Sequence, residues 1–392
     1  MTKKDNLFLR LLRFALHTGS TCPSMCLRDW QAMYRMAKKQ TLTALIGKAL
    51  EGIDGNVLLD SDEKAKEGFG ILMMQWMGEV VKATRRNLKI NGDVIEEVRL
   101  LEDKGLECCL LKGQGNALIY PHPEVRMAGD IDMWVRLKGT DNDDRNIRKI
   151  IKGVKEVLPD ARATYHHIDA PDTNGTPVEL HYRPQFLFSH HHNKRLQRFF
   201  VENADEQFAH KVRFGDVAIA VPTARFNIVF QLSHIYNHLF HEGIGLRQVV
   251  DYYYCLSDLS RNLHGRQEED GISVKEGNGM HRDEALERLL RRLGLYQIAG
   301  SIMWILITQL GMDGRLAIVN PDEKRGSLVL NEILQGGNFG KSDNRYHFGN
   351  SALGKNLQRL QRDCRLVRYF PSEAVSEPFF RLWHAGWRMC HN

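Results

Sequence analysis

Two aspartates stand one residue apart in the stretch LLKGQGNALIYPHPEVRMAGDIDMWV, residues 110–135. Read as a strand, Asp130 to Val135 turns Asp130 and Asp132 to one face and Ile131, Met133 and Val135 to the other. Carboxylates this close repel unless a cation lies between them, and an oxygen-rich pair suits Mg²⁺, which also binds substrate phosphates. A third carboxylate is at hand in PVELHYRP. There Glu179, His181 and Arg183 alternate to one face, and Val178, Leu180 and Tyr182 to the other. With that strand beside the first, Glu179 completes a three-carboxylate cluster. Such a cluster can hold two ions about 3.5–4 Å apart, one for an attacking oxygen and one for a leaving oxygen.

Lys112-Gly113 lies upstream, at an expected strand-to-helix junction. Glycine permits a tight turn and close backbone approach, and a helix N-terminus offers N–H groups and a positive dipole to phosphate. Lys112 adds a point charge, and Arg126, in the loop before Asp130, is expected to clamp a phosphate oxygen. His234, His238 and His241 recur at i, i+4 and i+7. No H-E-x-x-H motif accompanies them, so they read as a polar helix face turned to the cleft rather than as a zinc site. His166 and His167 alternate on a strand, which lets one of them face the cleft. His190, His191 and His192 read as a solvated loop.

These side chains need a sheet to hold them. Up to Lys104 the chain reads as helical, with a stop at Gly105. Leu106 to Leu111 and Asp130 to Val135 read as strands, as do Ala161 to Asp169 and Pro177 to Arg183, the last two joined through Asp172, Asn174 and Gly175. Val217 to Val221 is a further strand. Gly113 to Tyr120 and Asp143 to Val157 read as helices. After Pro222 the helical period returns, with Thr223 as N-cap for Phe226 to Phe240 and helices over Arg282 to Leu293 and Leu295 to Leu310. Arg261 to Gly279 reads as a loop or insertion. The fold class is α+β: a core at 86–222 with a mixed sheet, an N-terminal helical region at 1–85 and a C-terminal helical domain at 223–392.

Composition narrows the function classes. The chain has 392 residues, 43% apolar and 26% charged, enough for two or three compact units and too ordinary for a disordered chain. A net charge of +6 suits phosphate handling but is no strong nucleic-acid signal. The seven cysteines are odd in number and form no disulfide framework; Cys108 and Cys109 read as core, and the protein reads as reduced and cytoplasmic. Leu293 to Met312 lacks charge, but its Gln, Ser, Thr and Gly residues make it a buried helix rather than a membrane span. The basic helix Asn356 to Tyr369 reads as a solvated face, and Trp383 with Trp387 as a packing stripe.

The pattern K-G, short helix, Y-P-x-P, R-x-x-x-D-x-D, then E-L-H-Y-R resembles a bacterial family of uncharacterised nucleotidyltransferases in the DNA polymerase β-like superfamily. The segments HIYNHLFHEGIGLRQVVDYYYCL (234–256), LNEILQGGNFG (330–340) and YFPSEAVSEPFF (369–380) look like its later landmarks. The resemblance implies the polymerase β-like core, Mg²⁺ (two ions, with Mn²⁺ as substitute) and an NTP donor. It places metal ligands at Asp130, Asp132 and Glu179 and the phosphate turn at Lys112-Gly113; Gln114, Arg126 and His181 are expected to join that turn as nucleotide contacts. One departure stands out. The wider superfamily has Gly-Ser at the phosphate turn, and here Gln114 follows Gly113, so Lys112 or Gln114 replaces the serine contact. The expected reaction transfers a nucleoside monophosphate to a hydroxyl or phosphate acceptor: a small molecule, sugar phosphate, peptide, protein or RNA end. The rival is a nucleotide-binding or scaffolding protein that keeps the fold without transfer.

Overall fold

The computed structural model describes residues 1–19, 21–60, 63–269, 283–340, 343, 345 and 352–391. Helices come first: α1 (Lys3–Ala15), α2 (Leu27–Gln40), α3 (Thr43–Leu50), the one-turn α4 (Gly55–Leu58) and α5 (Glu63–Asp103), which runs for 41 residues. Then strands and helices intermingle: β1 (Leu106–Leu110), α6 (Gln114–Ala117), β2 (Ile131–Leu137), α7 (Asp144–Val157), β3 (His167–Thr173), β4 (Thr176–His181), α8 (His190–Glu202), α9 (Ala204–Ala209), β5 (Lys211–Phe214) and β6 (Val217–Ala220). The rest is helical: α10 (Ala224–His241), α11 (Leu246–Glu269), α12 (Glu284–Arg292), α13 (Tyr296–Trp304), α14 (Glu323–Gly336), α15 (Ala352–Leu366) and α16 (Pro371–His391).

The six strands form one mixed sheet in the order β3-β4-β2-β1-β6-β5. β2 runs antiparallel to β1 and parallel to β4, with Asp132 directly opposite Glu179. Alternation sorts the side chains by face. Ile131, Met133, Val135, Val178 and Leu180 pack under α5 (Ile90, Val94, Val98) and α7 (Ile147, Ile150, Ile151) in one core cluster. Cys109 and Trp134 point the other way, into a larger cluster shared with the flanking helices, where Trp134 stacks on Phe226 at 5.6 Å. Both cysteines at 108 and 109 are buried and free, as expected.

Some boundaries move. The strand expected at 161–169 begins at His167, because residues 162–166 come in toward the sheet as irregular backbone, with a bridge from Ala163 to Ile168 and the His166 carbonyl accepting from the Tyr182 N–H at 3.0 Å. Asn174 and Gly175, both at positive φ, close a two-residue hairpin between β3 and β4. β5 has no counterpart in the sequence reading: KVRF is too short and too polar to show a period. The histidine tract 190–192 opens α8 instead of forming a loop. The first residues of the expected 261–279 loop continue α11 to Glu269, and the remainder lies outside the described residues. Leu293 to Met312 is packed core, ending in a π-helical turn at Ile305–Gln309, and among the described residues no helix is long and apolar enough to cross a membrane. The expected boundary at 85/86 falls inside α5.

Candidate active site

A cavity of about 790 Å³ lies between the carboxylate face of the sheet and the C-terminal helices. It is in the size range of ligand sites. Lys112, Gly113, Asp130, Asp132 and Glu179 line its floor. The register explains the floor: pairing Asp132 with Glu179 on parallel strands brings two carboxylates side by side, and His181, two residues on, projects to the same face.

The floor is neutralised from within. Lys112 Nζ lies 2.8 Å from Asp132 Oδ1. His181 Nε2 lies 3.0 Å from the same oxygen and 3.2 Å from Glu179 Oε2. Burial would raise both carboxylates, but Lys112 and the His181 hydrogen bond outweigh it for Asp132. For Glu179 His181, His167 and Lys112 do the same, so both sit below the usual range. Burial likewise works against the charges of Lys112 and His181, yet the carboxylates hold both above their ordinary values. Asp130 differs. The charge of Asp132, then burial, raises it, and no cation meets it at bonding distance among the described residues.

One donor atom each from Asp132, Glu179 and His181 lies within 4.8 Å of the others. Two carboxylates with one imidazole suit Mg²⁺ or Mn²⁺. The raised Asp130 beside them shows repulsion that a cation would relieve. A divalent ion therefore fits this donor set. Asp132, Glu179 and His181 form one such group, with Asp130 on the same cavity wall but outside it.

Gly113 has φ +59°, and a Cβ there would stand 3.1 Å from the Asp130 carbonyl oxygen. The turn thus needs glycine twice over, for its left-handed backbone and for close approach to the D-x-D strand. Gln114 does not take the place of a phosphate-binding serine side chain. It is 2% exposed and its amide donates to Asn91 of α5, away from the cavity. The cause is helical geometry: one residue into α6 its side chain meets α5, leaving Lys112 on the cavity side.

Arg126 also departs from its expected role. Its Nε and Nη2 donate to the Asp251 carboxylate at 2.8 and 2.9 Å, and Tyr120 donates to the same group at 2.6 Å. It is a buried tether between the loop and α11, though it borders the cavity with Nη1 unpartnered. The cation that the sequence reading missed is Arg247. It lines the cavity, donates through Nη1 to the Met127 carbonyl at 2.7 Å and leaves Nε without a partner. It lies within the segment 234–256 that carried the family resemblance, but only the fold brings it to Asp130.

The ceiling is rich in imidazole. His234, His238 and His241 all line the cavity from α10, as their spacing implied. Burial holds them neutral, His238 down to about 3. His166 and His167 both border the cavity, not one of the two, because His166 precedes the regular strand and escapes its alternation. The basic helix α15 is not merely solvated: Arg359 and Arg362 border the cavity, and Arg365 pairs with Glu332 at 3.1 Å. Trp383 and Trp387 of α16 pack edge-on against Tyr165, as a packing stripe would.

A family model described as an uncharacterised nucleotidyltransferase matches residues 27–267, from α2 through most of α11. No curated protein and no solved structure matches the chain.

Proposed function

The chain belongs to that uncharacterised nucleotidyltransferase family, and from this premise we propose that it transfers a nucleoside monophosphate from an NTP to an acceptor through the Asp132–Glu179 site, on a polymerase β-like core. The observation that carries the reading is the direct register of Asp132 and Glu179 on parallel strands, with Lys112 Nζ 2.8 Å from Asp132, at the floor of a ligand-sized cavity.

Asp132, Glu179 and His181, with Asp130 beside them, would hold divalent ions, which would supply charge neutralisation to the phosphates and activation of the attacking oxygen. The rest falls to the chain. Lys112 leaves Asp132 for a triphosphate oxygen when the donor enters, and Arg247, with its unpartnered Nε, takes another. Gly113 lets the phosphates approach the backbone. The acceptor oxygen attacks the α-phosphorus; a P–O bond forms, the bond to the β-phosphate bridge breaks and pyrophosphate leaves. Where the acceptor is a hydroxyl, its proton goes to Glu179, the carboxylate at the cavity floor.

Calorimetric titration with α,β-methylene NTP analogues tests this. Binding is expected only with Mg²⁺ or Mn²⁺, and at 100 times Kd it should stabilise the fold by about 2.7 kcal/mol. Asp132→Asn and Glu179→Gln should each weaken it by tenfold or more, about 1.4 kcal/mol per tenfold. No binding of any analogue with either ion would refute the proposal. Binding with no pyrophosphate release from natural NTPs across an acceptor panel would favour the non-catalytic rival.

A further inference from the structure

The carboxylate row does not stop at Glu179. β4 pairs antiparallel with β3, and that register sets Asp169 opposite Glu179 and His167 opposite His181. β3 is an edge strand of the sheet. Asp132, Glu179 and Asp169 thus share one face across three neighbouring strands, with His181 and His167 two residues away along β4 and β3. The Asp169 carboxylate is exposed and has no Lys or Arg at ion-pair distance among the described residues.

One donor atom each from His167, Asp169 and Glu179 lies within 4.8 Å of the others, and this group shares only Glu179 with Asp132, Glu179 and His181. His167 stands 3.8 Å from the Asp169 carboxylate through Nε2 and 3.8 Å from the Glu179 carboxylate through Nδ1. Both gaps are too long for hydrogen bonds. They exceed by a few tenths of an ångström the roughly 3.0–3.5 Å between two ligands held about 2.1 Å from one ion.

The protons leave the same gap open. Thr164 Oγ1 donates to the His167 carbonyl at 3.0 Å, so it meets His166 Nδ1, 3.3 Å away, with a lone pair. His166 therefore carries its proton on Nδ1 and accepts at Nε2 from His167 Nδ1, 3.0 Å away. Neither ring has a carboxylate at hydrogen-bond distance to hold a second proton among the described residues. His167 thus keeps a lone pair on Nε2, turned to Asp169. An imidazole nitrogen and two carboxylates then face one another with no donor between them. Fixing a ring through its other nitrogen is how proteins orient an imidazole toward a metal. A solvated Asp169 alone would not call for it.

We infer that His167 and Asp169 of β3, with Glu179 as shared ligand, form a second site for a divalent transition ion, Mn²⁺ by its two carboxylates and one imidazole. It lies on the far side of Glu179 from Asp132, about one strand spacing, roughly 4.8 Å, along the row. The site goes beyond the nucleotidyl-transfer reading and stands without it, since ion binding needs no nucleotide. Within that reading it adds positive charge at the end of the row away from Lys112.

The test uses the full chain, stripped of metal with a chelator and titrated with Mn²⁺ in the absence of nucleotide, with electron paramagnetic resonance counting the free ion. The wild type should bind two Mn²⁺ per chain. Asp169→Asn and His167→Gln should each weaken one of them about tenfold or more and keep the other within about twofold. Asp132→Asn should weaken the other. Because its side chain is exposed, Asp169→Asn should keep the metal-free melting temperature within about 2 °C, so it decides the matter even where His167→Gln folds poorly. Mn²⁺ binding unchanged in Asp169→Asn would overturn the inference. So would loss of both ions in that variant, which would make the row a single site, or a wild type that binds fewer than two. Failure of the nucleotide reading appears separately, as no analogue binding in the wild type whatever the ion count.

Discussion

Asp132 is 1% exposed and meets two cationic side chains, whereas Asp130 meets none at bonding distance among the described residues. The sequence pairs them as equivalent ligands; their surroundings do not. Asp132→Asn leaves the buried Lys112 ammonium short of its nearest counter-charge, and breaking such a pair is expected to cost about 3 kcal/mol. Asp130→Asn removes a charge that its neighbour repels and should leave stability within about 0.5 kcal/mol or raise it slightly. Thermal melts of the two metal-free variants check this. Equal Tm values would show that the Lys112–Asp132 contact contributes little.

Among the elements, the tether from Arg126 to Asp251 has the largest consequence. It ties the loop before β2 to α11, and so fixes the D-x-D strand against the helix that carries Arg247. Arg126→Gln should therefore lower stability by about 3 kcal/mol or more, with nucleotide affinity falling only as far as the loop loosens. Replacing both partners, Arg126→Met with Asp251→Leu, should recover much of the loss, since no buried charge is then left alone. Urea unfolding measures the stability and titration the affinity. A single variant that loses nucleotide binding at unchanged stability would return Arg126 to a phosphate-clamping role. α5 also joins parts that its sequence does not separate. Its first half packs on α2 and α3, its second half on the sheet, which is why no texture change marks residue 86.

Taken whole, the molecule encloses an array of neutral imidazoles. Burial holds His167 down to about 4 and His238 to about 3, with His166 and His234 well below their ordinary values. The unfolded chain takes up protons near pH 6.5 that the folded chain refuses, so it binds more protons in that window and stability falls as pH falls. His181 has the opposite sign: raised in the fold, it favours the folded state below pH 6.5 and loses that contribution as pH rises through its folded value. The depressed histidines outnumber it, so the melting temperature should drop between pH 7 and pH 5.5. For His238 the contribution is about 1 kcal/mol at pH 5.5. His238→Asn should flatten the profile; a flat wild-type profile over that window would contradict the buried, neutral assignment.

The chemistry-bearing strands were legible in the chain because their information is local. Alternation alone turns Asp132, Glu179 and His181 away from the apolar core, and the positive φ at Gly113 is written in the residue type. The period of α10 likewise showed that its three histidines share a face. Pairing was not local. Whether Glu179 stands opposite Asp132 depends on β4 docking parallel to β2 across 46 intervening residues, and no period within either strand encodes that register. The counter-charges were further still from view. Arg126 found Asp251 and left the phosphate role open, and Arg247 and Arg359 came to the cavity from segments that looked like helix and surface. A charged side chain of any kind can sit at a helix surface; only the packing of helices around the sheet decides which of them are drawn inside, where an unpaired charge costs enough to matter.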